Sequence, residues 1–352
     1  MTLGRGWTGG QNFRPAREVD VRYGHGLVKN ESANWPRYIA VTTPTAWKTT
    51  QPYLGQKPAG VSNVTMLDWD HLENASNALP DDAEMVVGVG GGTALDASKY
   101  IALKKDLPLR LVPTAVSTGA IIHGIFAKWK GHAIVADSEF WPYCDFEHVL
   151  VDYELILEAP WYLNTAGIGD VLCMYSGISE WRNQAGVEDT PPVDQELINP
   201  TIEYYRDLSV QFPKTLDSQC NLTADSVRLI MKSIHERDDR QLTSAFASGA
   251  GHSLTQILEE VLQRGLIHGE VAALGGVAVC WAANDYEELV GFLDKCKVRY
   301  RPSQMGVEKD QLRAVFDYAK DFYPRKCMDT ILAREPLTDS RFEDFWQFMK
   351  SI

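Results

Sequence analysis

The stretch "VVGVGGGTALDASK", residues 86–99, decides the fold. A β-branched apolar run stops in glycines, and a helix-forming segment follows at once. The run reads as a strand buried on both faces, as in a parallel sheet. The segment from Thr93 to Lys105 reads as a helix opened by a capping box, with Thr93 at the N-cap and Asp96 three residues on. Bare glycine backbone next to a helix N-terminus suits a phosphate or pyrophosphate, because free N–H groups and the positive dipole end meet there. No G-K-[ST] follows, so the turn is not a P-loop. Nor is it the standard dinucleotide fingerprint. Thr93 stands where the third glycine would fall, and no acidic residue sits about 20 positions further on.

Working outward, "RYIAVTT", "AEMVVGVG", "LRLVPT", "GHAIVAD" and "EHVLVD" read as short strands set among helical stretches. Strands alternating with helices predict an α/β domain with a largely parallel sheet. After Asp152 the apolar residues recur at helical spacing, as in "SVRLIMKSIHE", "HSLTQILEEVLQ" and "GEVAALGGVAVCWAA". The expected organisation is therefore an α/β domain over residues 1–153 and an all-α domain over residues 154–352. The acidic, proline-containing stretch 186–200 reads as an exposed loop.

The chain has 352 residues, a formal net charge of −13 and 45% hydrophobic residues. That composition fits an ordinary globular protein and argues against nucleic acid or an anionic membrane as a partner. No apolar run approaches a membrane span, and the first residues carry no apolar signal segment. The six cysteines are scattered with no C-x-x-C pair. They read as reduced thiols of a cytoplasmic protein.

Asp170 poses a separate problem. It lies in "NTAGIGDVLCMYSGIS", and no Lys or Arg occurs between Glu158 and Arg182. A carboxylate in such apolar surroundings is expensive to bury without compensation, which must come from elsewhere in the chain or from a bound cation. His252, in "SGAGHSL", and His268, in "IHGEVAALG", stand in similar small-residue surroundings. One carboxylate and two imidazoles make the composition of a catalytic divalent-metal site with an open position. Three separate core polar residues explain the same spacing equally well.

These motifs, in this order, resemble the iron-containing alcohol dehydrogenase superfamily, above all its glycerol-1-phosphate and glycerol dehydrogenase branches. The resemblance spans residues 85–275 and is most specific at the glycine turn and at "PWYLNTAGIGD". It implies a Rossmann-like dinucleotide-binding domain and a helical metal-binding domain, with the active site in the cleft between them. Gly90, Gly91, Gly92 and Asp96 match the family's motif for NAD or NADP, and Thr114 and Ser117 match the loop beside the cofactor. Asp170, His252 and His268 match the metal ligands for one divalent ion, zinc in the first place, with iron or nickel as alternatives. It further implies a small alcohol or carbonyl substrate and a homo-oligomer.

Two departures bear on substrate and cofactor. The aspartate that contacts substrate in the glycerol branches falls at Gly119, and His123 appears four residues later. A histidine there is a candidate catalytic residue, able to hydrogen-bond the substrate hydroxyl or relay its proton. Thr42 and Thr43 stand where strict NAD users often carry an acid for the adenosine ribose, which leaves NADP open. The alternative within the same fold is a dehydroquinate synthase-like sugar-phosphate cyclase using NAD and a divalent metal.

Overall fold

The apolar run at residues 85–90 forms the expected strand near the middle of a six-stranded sheet. The computed structural model describes residues 18–135, 142–184, 192–239, 249–326 and 328–352. In chain order the strands are β1 (Val21–Gly24), β2 (Tyr38–Thr42), β3 (Gly60–Asn63), β4 (Met85–Gly90), β5 (Leu109–Pro113), β6 (Trp129–Lys130), β7 (Ala133–Ile134) and β8 (Val149–Asp152). Six of them make one parallel sheet in the order β1-β8-β5-β4-β2-β3. Every residue of β2, β4 and β8 is buried. That is why these strands read as continuous apolar runs and not as alternating ones.

Helix Gly92–Lys105 buries Ala94, Leu95, Ala97, Ile101 and Ala102. Gly88 faces this helix, where a Cβ would collide with Ser98. Successive residues point to opposite faces, so Val87 and Val89 turn to the other side. There they join Val28, Trp35, Tyr38, Ala40 and Leu150 in a core cluster. From β2 the chain winds outward to β3 and then returns to the opposite side of β2 as β4. The winding direction reverses between β2 and β4. Their carboxyl ends, Thr42 and Gly90, therefore flank a topological switch point, where open α/β sheets bind ligands.

Four local expectations need correction. The helix after the glycines starts at Gly92 with Gly91 as N-cap, and no side chain caps it. Thr93 is the second helical residue, because Gly91 already takes the extended conformation that precedes a helix. The described part of "GHAIVAD", residues 131–135, contributes no strand to the main sheet. Its residues Ala133 and Ile134 pair with Trp129 and Lys130 in a small antiparallel ribbon. β1 and β3 had no signal in the sequence reading. Part of the stretch read as a loop at 186–200 is helical, since helix Gln195–Gln211 begins there, capped by the Asp194 side chain. Residues 185–191 lie outside the described residues.

Every regular element described after Asp152 is helical. The described residues divide into two compact units, one of 18–164 with 221–235, the other of 165–220 with 236–352. Along the described residues the chain changes unit at 164/165, 220/221 and 235/236. No helix among the described residues is long and apolar enough to cross a membrane.

Candidate functional site

Asp170 sits in helix Trp161–Leu172 with its side chain 2% exposed. Two kinds of partner meet it, one on each carboxylate oxygen. On Oδ2 lies the guanidinium of Arg237, whose Nη1 donates at 3.1 Å from a side chain only 5% exposed. On Oδ1 lie both histidines, His268 Nε2 at 3.3 Å and His252 Nδ1 at 3.6 Å. Their rings meet edge to face, with centroids 4.8 Å apart. Edges of a tetrahedron with metal–ligand bonds of about 2.0–2.1 Å measure about 3.4 Å. The donor set and its spacing around Oδ1 therefore fit a divalent ion. Arg237, the compensation that comes from elsewhere in the chain, was not read from the sequence. It lies 67 residues away and no motif marks it.

The backbone explains why three distant residues meet. Each one is flanked by glycine: Gly169 precedes Asp170, Gly251 precedes His252 and Gly269 follows His268. A Cβ on Gly269 would run into the backbone carbonyl of Ala166, and one on Gly275 into that of Gly251. Helix His268–Ala282 therefore lies against helix Trp161–Leu172 and against helix Ala250–Leu262 at backbone contact. Gly269→Ala must push these helices apart. It should lower stability by about 1–3 kcal/mol or more, read as a lower urea midpoint, and should weaken metal binding at the same time. An unchanged midpoint would contradict the crossing.

The electrostatics of Asp170 and His252 suit ligation. Burial pushes the Asp170 carboxyl up, but Arg237 and the histidines outweigh it and hold it well below the usual carboxylate range. Burial, with His268 beside it, lowers His252 to about 3, so this imidazole is neutral, as a ligand must be. His268 is raised, because the Asp170 carboxylate overcomes desolvation. Glu180, another residue missed by the sequence reading, supports the site from behind. It is buried and accepts N–H bonds from Ala250 at 2.8 Å and Ile331 at 3.3 Å, which fixes the start of the helix that carries His252. Burial raises its carboxyl to about 7.

The glycine turn belongs to the other unit. Gly90 has φ +149°, and a Cβ there would also press on Ala94 at 2.7 Å. Only glycine fits at this position. Gly91 has an unstrained backbone, and its nearest neighbour outward would be Ser117 Oγ, 3.9 Å from an added Cβ. The space over Gly91 is thus open. With no capping side chain, the first-turn N–H groups of helix Gly92–Lys105 have no partner within the helix. These features fit a dinucleotide phosphate. The Thr114 N–H donates to Gly90 at 3.0 Å. The loop that follows is pinned by buried Asn164, whose Oδ1 accepts from Val116 N–H at 2.9 Å while its Nδ2 donates to Ile156 at 3.0 Å.

Three expected cofactor residues have other duties. The fully buried Lys99 donates at 2.8 Å both to Asp96 Oδ1 and to the carbonyl of Ala120, so Asp96 helps anchor the helix to the turn Gly119–Ile121. Thr42 is fully buried and its hydroxyl donates to the Thr43 carbonyl, which leaves its side chain no route to a ligand. The Thr43 hydroxyl caps helix Pro44–Thr50 at Ala46. His123 follows the turn Gly119–Ile121. Its N–H donates to the Gly119 carbonyl at 3.2 Å, and its Nε2 is shielded from solvent. His123 lies in the unit of the glycine turn, whereas Asp170, His252 and His268 lie in the helical one.

Comparison with known proteins gives a consistent result. The family described as iron-containing alcohol dehydrogenase matches residues 51–160. The glycerol-1-phosphate dehydrogenase [NAD(P)+] of Nitrosopumilus maritimus is 25% identical over 278 residues, covering 77% of this chain and 74% of its own. That of Methanospirillum hungatei is 26% identical over 279 residues, covering 76% and 74%. Among solved structures, a probable glycerol dehydrogenase from Sinorhizobium meliloti superposes with a TM-score of 0.65 at 19% identity, over 97% of this chain and 100% of that one. Glycerol dehydrogenase from Schizosaccharomyces pombe gives 0.59 at 18% identity, over 88% and 84%. At these identities the structural matches speak for the fold.

Proposed function

We propose that the chain belongs to the iron-containing alcohol dehydrogenase superfamily and that it interconverts a polyol, or a polyol phosphate of the glycerol 1-phosphate kind, and its carbonyl with NAD or NADP. The observation that carries the reading is the convergence of His252 and His268 on one oxygen of buried Asp170, in the chain order of the family's ligands. The proposed division of labour gives dinucleotide binding to residues 1–153, and metal and substrate binding to residues 154–352. Zinc is the ion we assign. The proposal also places the chain in the cytoplasm as a homo-oligomer. The unbridged state of the five described cysteines supports the reducing compartment.

A divalent ion held by Asp170, His252 and His268 would supply Lewis acidity toward the substrate oxygen, and a dinucleotide held at the glycine turn would supply the hydride acceptor. The alcohol thereby becomes a carbonyl, NAD(P)+ becomes NAD(P)H, and the hydroxyl proton is released. The chain's residues do the positioning. Arg237 occupies Asp170 Oδ2 and so presents Oδ1 as the single donor toward the histidines. Gly91 and Gly92 leave backbone N–H groups bare for the pyrophosphate. We assign the hydroxyl proton to His123. His123→Ala should lower turnover at least about tenfold and flatten one limb of the pH–rate profile, with NAD(P)H affinity unchanged. Parental turnover and pH dependence would remove it from the reaction.

The function is tested by offering NAD and NADP with polyols, polyol phosphates and simple alcohols to the purified protein. Reduction of the nicotinamide with a polyol or its phosphate is expected. Reduction with simple alcohols alone, or with no compound, would contradict the proposal.

A further inference from the structure

We propose that Cys173 is an additional protein ligand of the ion held by Asp170, His252 and His268, bound through its sulfur while no substrate is present. The proposal rests on the metal reading above and adds a donor that the motif does not contain. Cys173 lies three residues after Asp170, where helix Trp161–Leu172 gives way to helix Met174–Asn183, and its side chain is buried. Residues three apart on a helix share a face, so carboxylate and sulfur emerge side by side.

The distances specify the role. Cys173 Sγ lies 3.4 Å from His252 Nδ1. The donor atoms of Asp170, Cys173 and His252 all fall within 4.8 Å of one another. A tetrahedral ion with bonds of about 2.3 Å to sulfur and about 2.0 Å to nitrogen places those two atoms about 3.5 Å apart. Cys173 Sγ also lies 2.9 Å from the Asp170 carbonyl, an acceptor for the single thiol proton that leaves the sulfur lone pairs available toward His252. A cysteine serving only as a small apolar filler would meet carbon there.

The chemistry balances without any redox change. The S–H bond breaks, its proton leaves to solvent, and a sulfur lone pair forms the bond to the ion, which keeps its charge. Thiolate softness favours zinc over harder cations. With Asp170 and both histidines, Cys173 would give the site four protein donors, and a substrate oxygen would take the place of the sulfur. Cys173 would then keep water off the resting site.

Cobalt(II) supplies the test. Chelated protein reloaded with one equivalent of cobalt, without substrate or dinucleotide, should show an intense near-ultraviolet thiolate-to-cobalt charge-transfer band. Cys173→Ser and Cys173→Ala should lack the band, whether they keep cobalt or lose it, while Cys280→Ala retains it. X-ray absorption at the zinc edge of the zinc-loaded parent should show one sulfur neighbour, a reading that needs no variant. In chelator competition Cys173→Ala should hold zinc at least about tenfold more weakly. Stoichiometric cobalt in the parent without the band, a band that survives in both variants, or zinc with no sulfur neighbour would overturn the ligand and leave the metal reading intact. Failure of the parent to bind cobalt or zinc would overturn both.

Discussion

Replacing His268 by alanine should weaken zinc binding and turnover together and leave the fold standing. His268 is the first residue of helix His268–Ala282, and its side chain is 37% exposed. The close helix crossing beside it is made by Gly269, so removing the imidazole opens no core cavity. What disappears is a donor 3.3 Å from Asp170 Oδ1. Loss of residues that merely orient ligands costs about 10–100-fold in metal affinity or activity. Loss of a ligand should therefore cost at least about a hundredfold in both. Zinc affinity by chelator competition, turnover and the thermal midpoint together check this result. Parental zinc affinity in the variant would remove His268 from the site.

The second large effect is expected at Gly91. Its backbone, φ −85° and ψ −169°, is open to any residue, and an added Cβ would have Ser117 Oγ as its nearest neighbour outward, 3.9 Å away. Valine at this position should fold normally, with its isopropyl group set over the first-turn N–H groups. A phosphate that needs those groups at hydrogen-bond distance loses them. Gly91→Val should weaken NADH and NADPH binding by about a hundredfold, or about 2.7 kcal/mol, measured by nicotinamide fluorescence, while zinc content stays at the parental value. Unchanged affinity would mean that the turn only joins a strand to a helix. Gly90 is unsuitable for this test, because φ +149° and the clash with Ala94 would confuse folding with binding.

The strand, glycine turn and helix at residues 85–105 were legible because both faces of β4 are buried and the apolar run is therefore uninterrupted. β1 and β3 were not legible for the opposite reason. They close the two edges of the sheet, are four residues long and are mostly half-exposed, so "VRYG" and "GVSN" carry no run to detect. The acidic, proline-containing stretch 186–200 resembled a loop, but Asp194 accepts the N–H groups of Glu196 and Leu197 and starts a helix.

The site was legible in part. A buried carboxylate demanded compensation, and the demand could be read from "AGIGDVLC" without its answer. The answer has two components, a guanidinium on Oδ2 and the histidine side on Oδ1. Arg237 could not be paired with Asp170 by any spacing rule, since the pairing follows from tertiary packing alone. Cys173 does carry a signal, because D-x-x-C is a short helical ligand spacing. Asp96 shows the reverse case. Its place in the motif suggested a cofactor contact, while the fold uses it to hold the buried charge of Lys99.

The central claim is that the ion at Asp170, His252 and His268 makes this chain a polyol dehydrogenase. Zinc titrated into chelated protein, with oxidation of NADH or NADPH by dihydroxyacetone phosphate or dihydroxyacetone followed throughout, tests it most directly. The account predicts negligible oxidation by the metal-free protein, a linear rise on adding zinc, and a break at one equivalent per chain. Equal activity with and without zinc, a titration of the parent with no break at one equivalent, or a break that survives Asp170→Asn would contradict it.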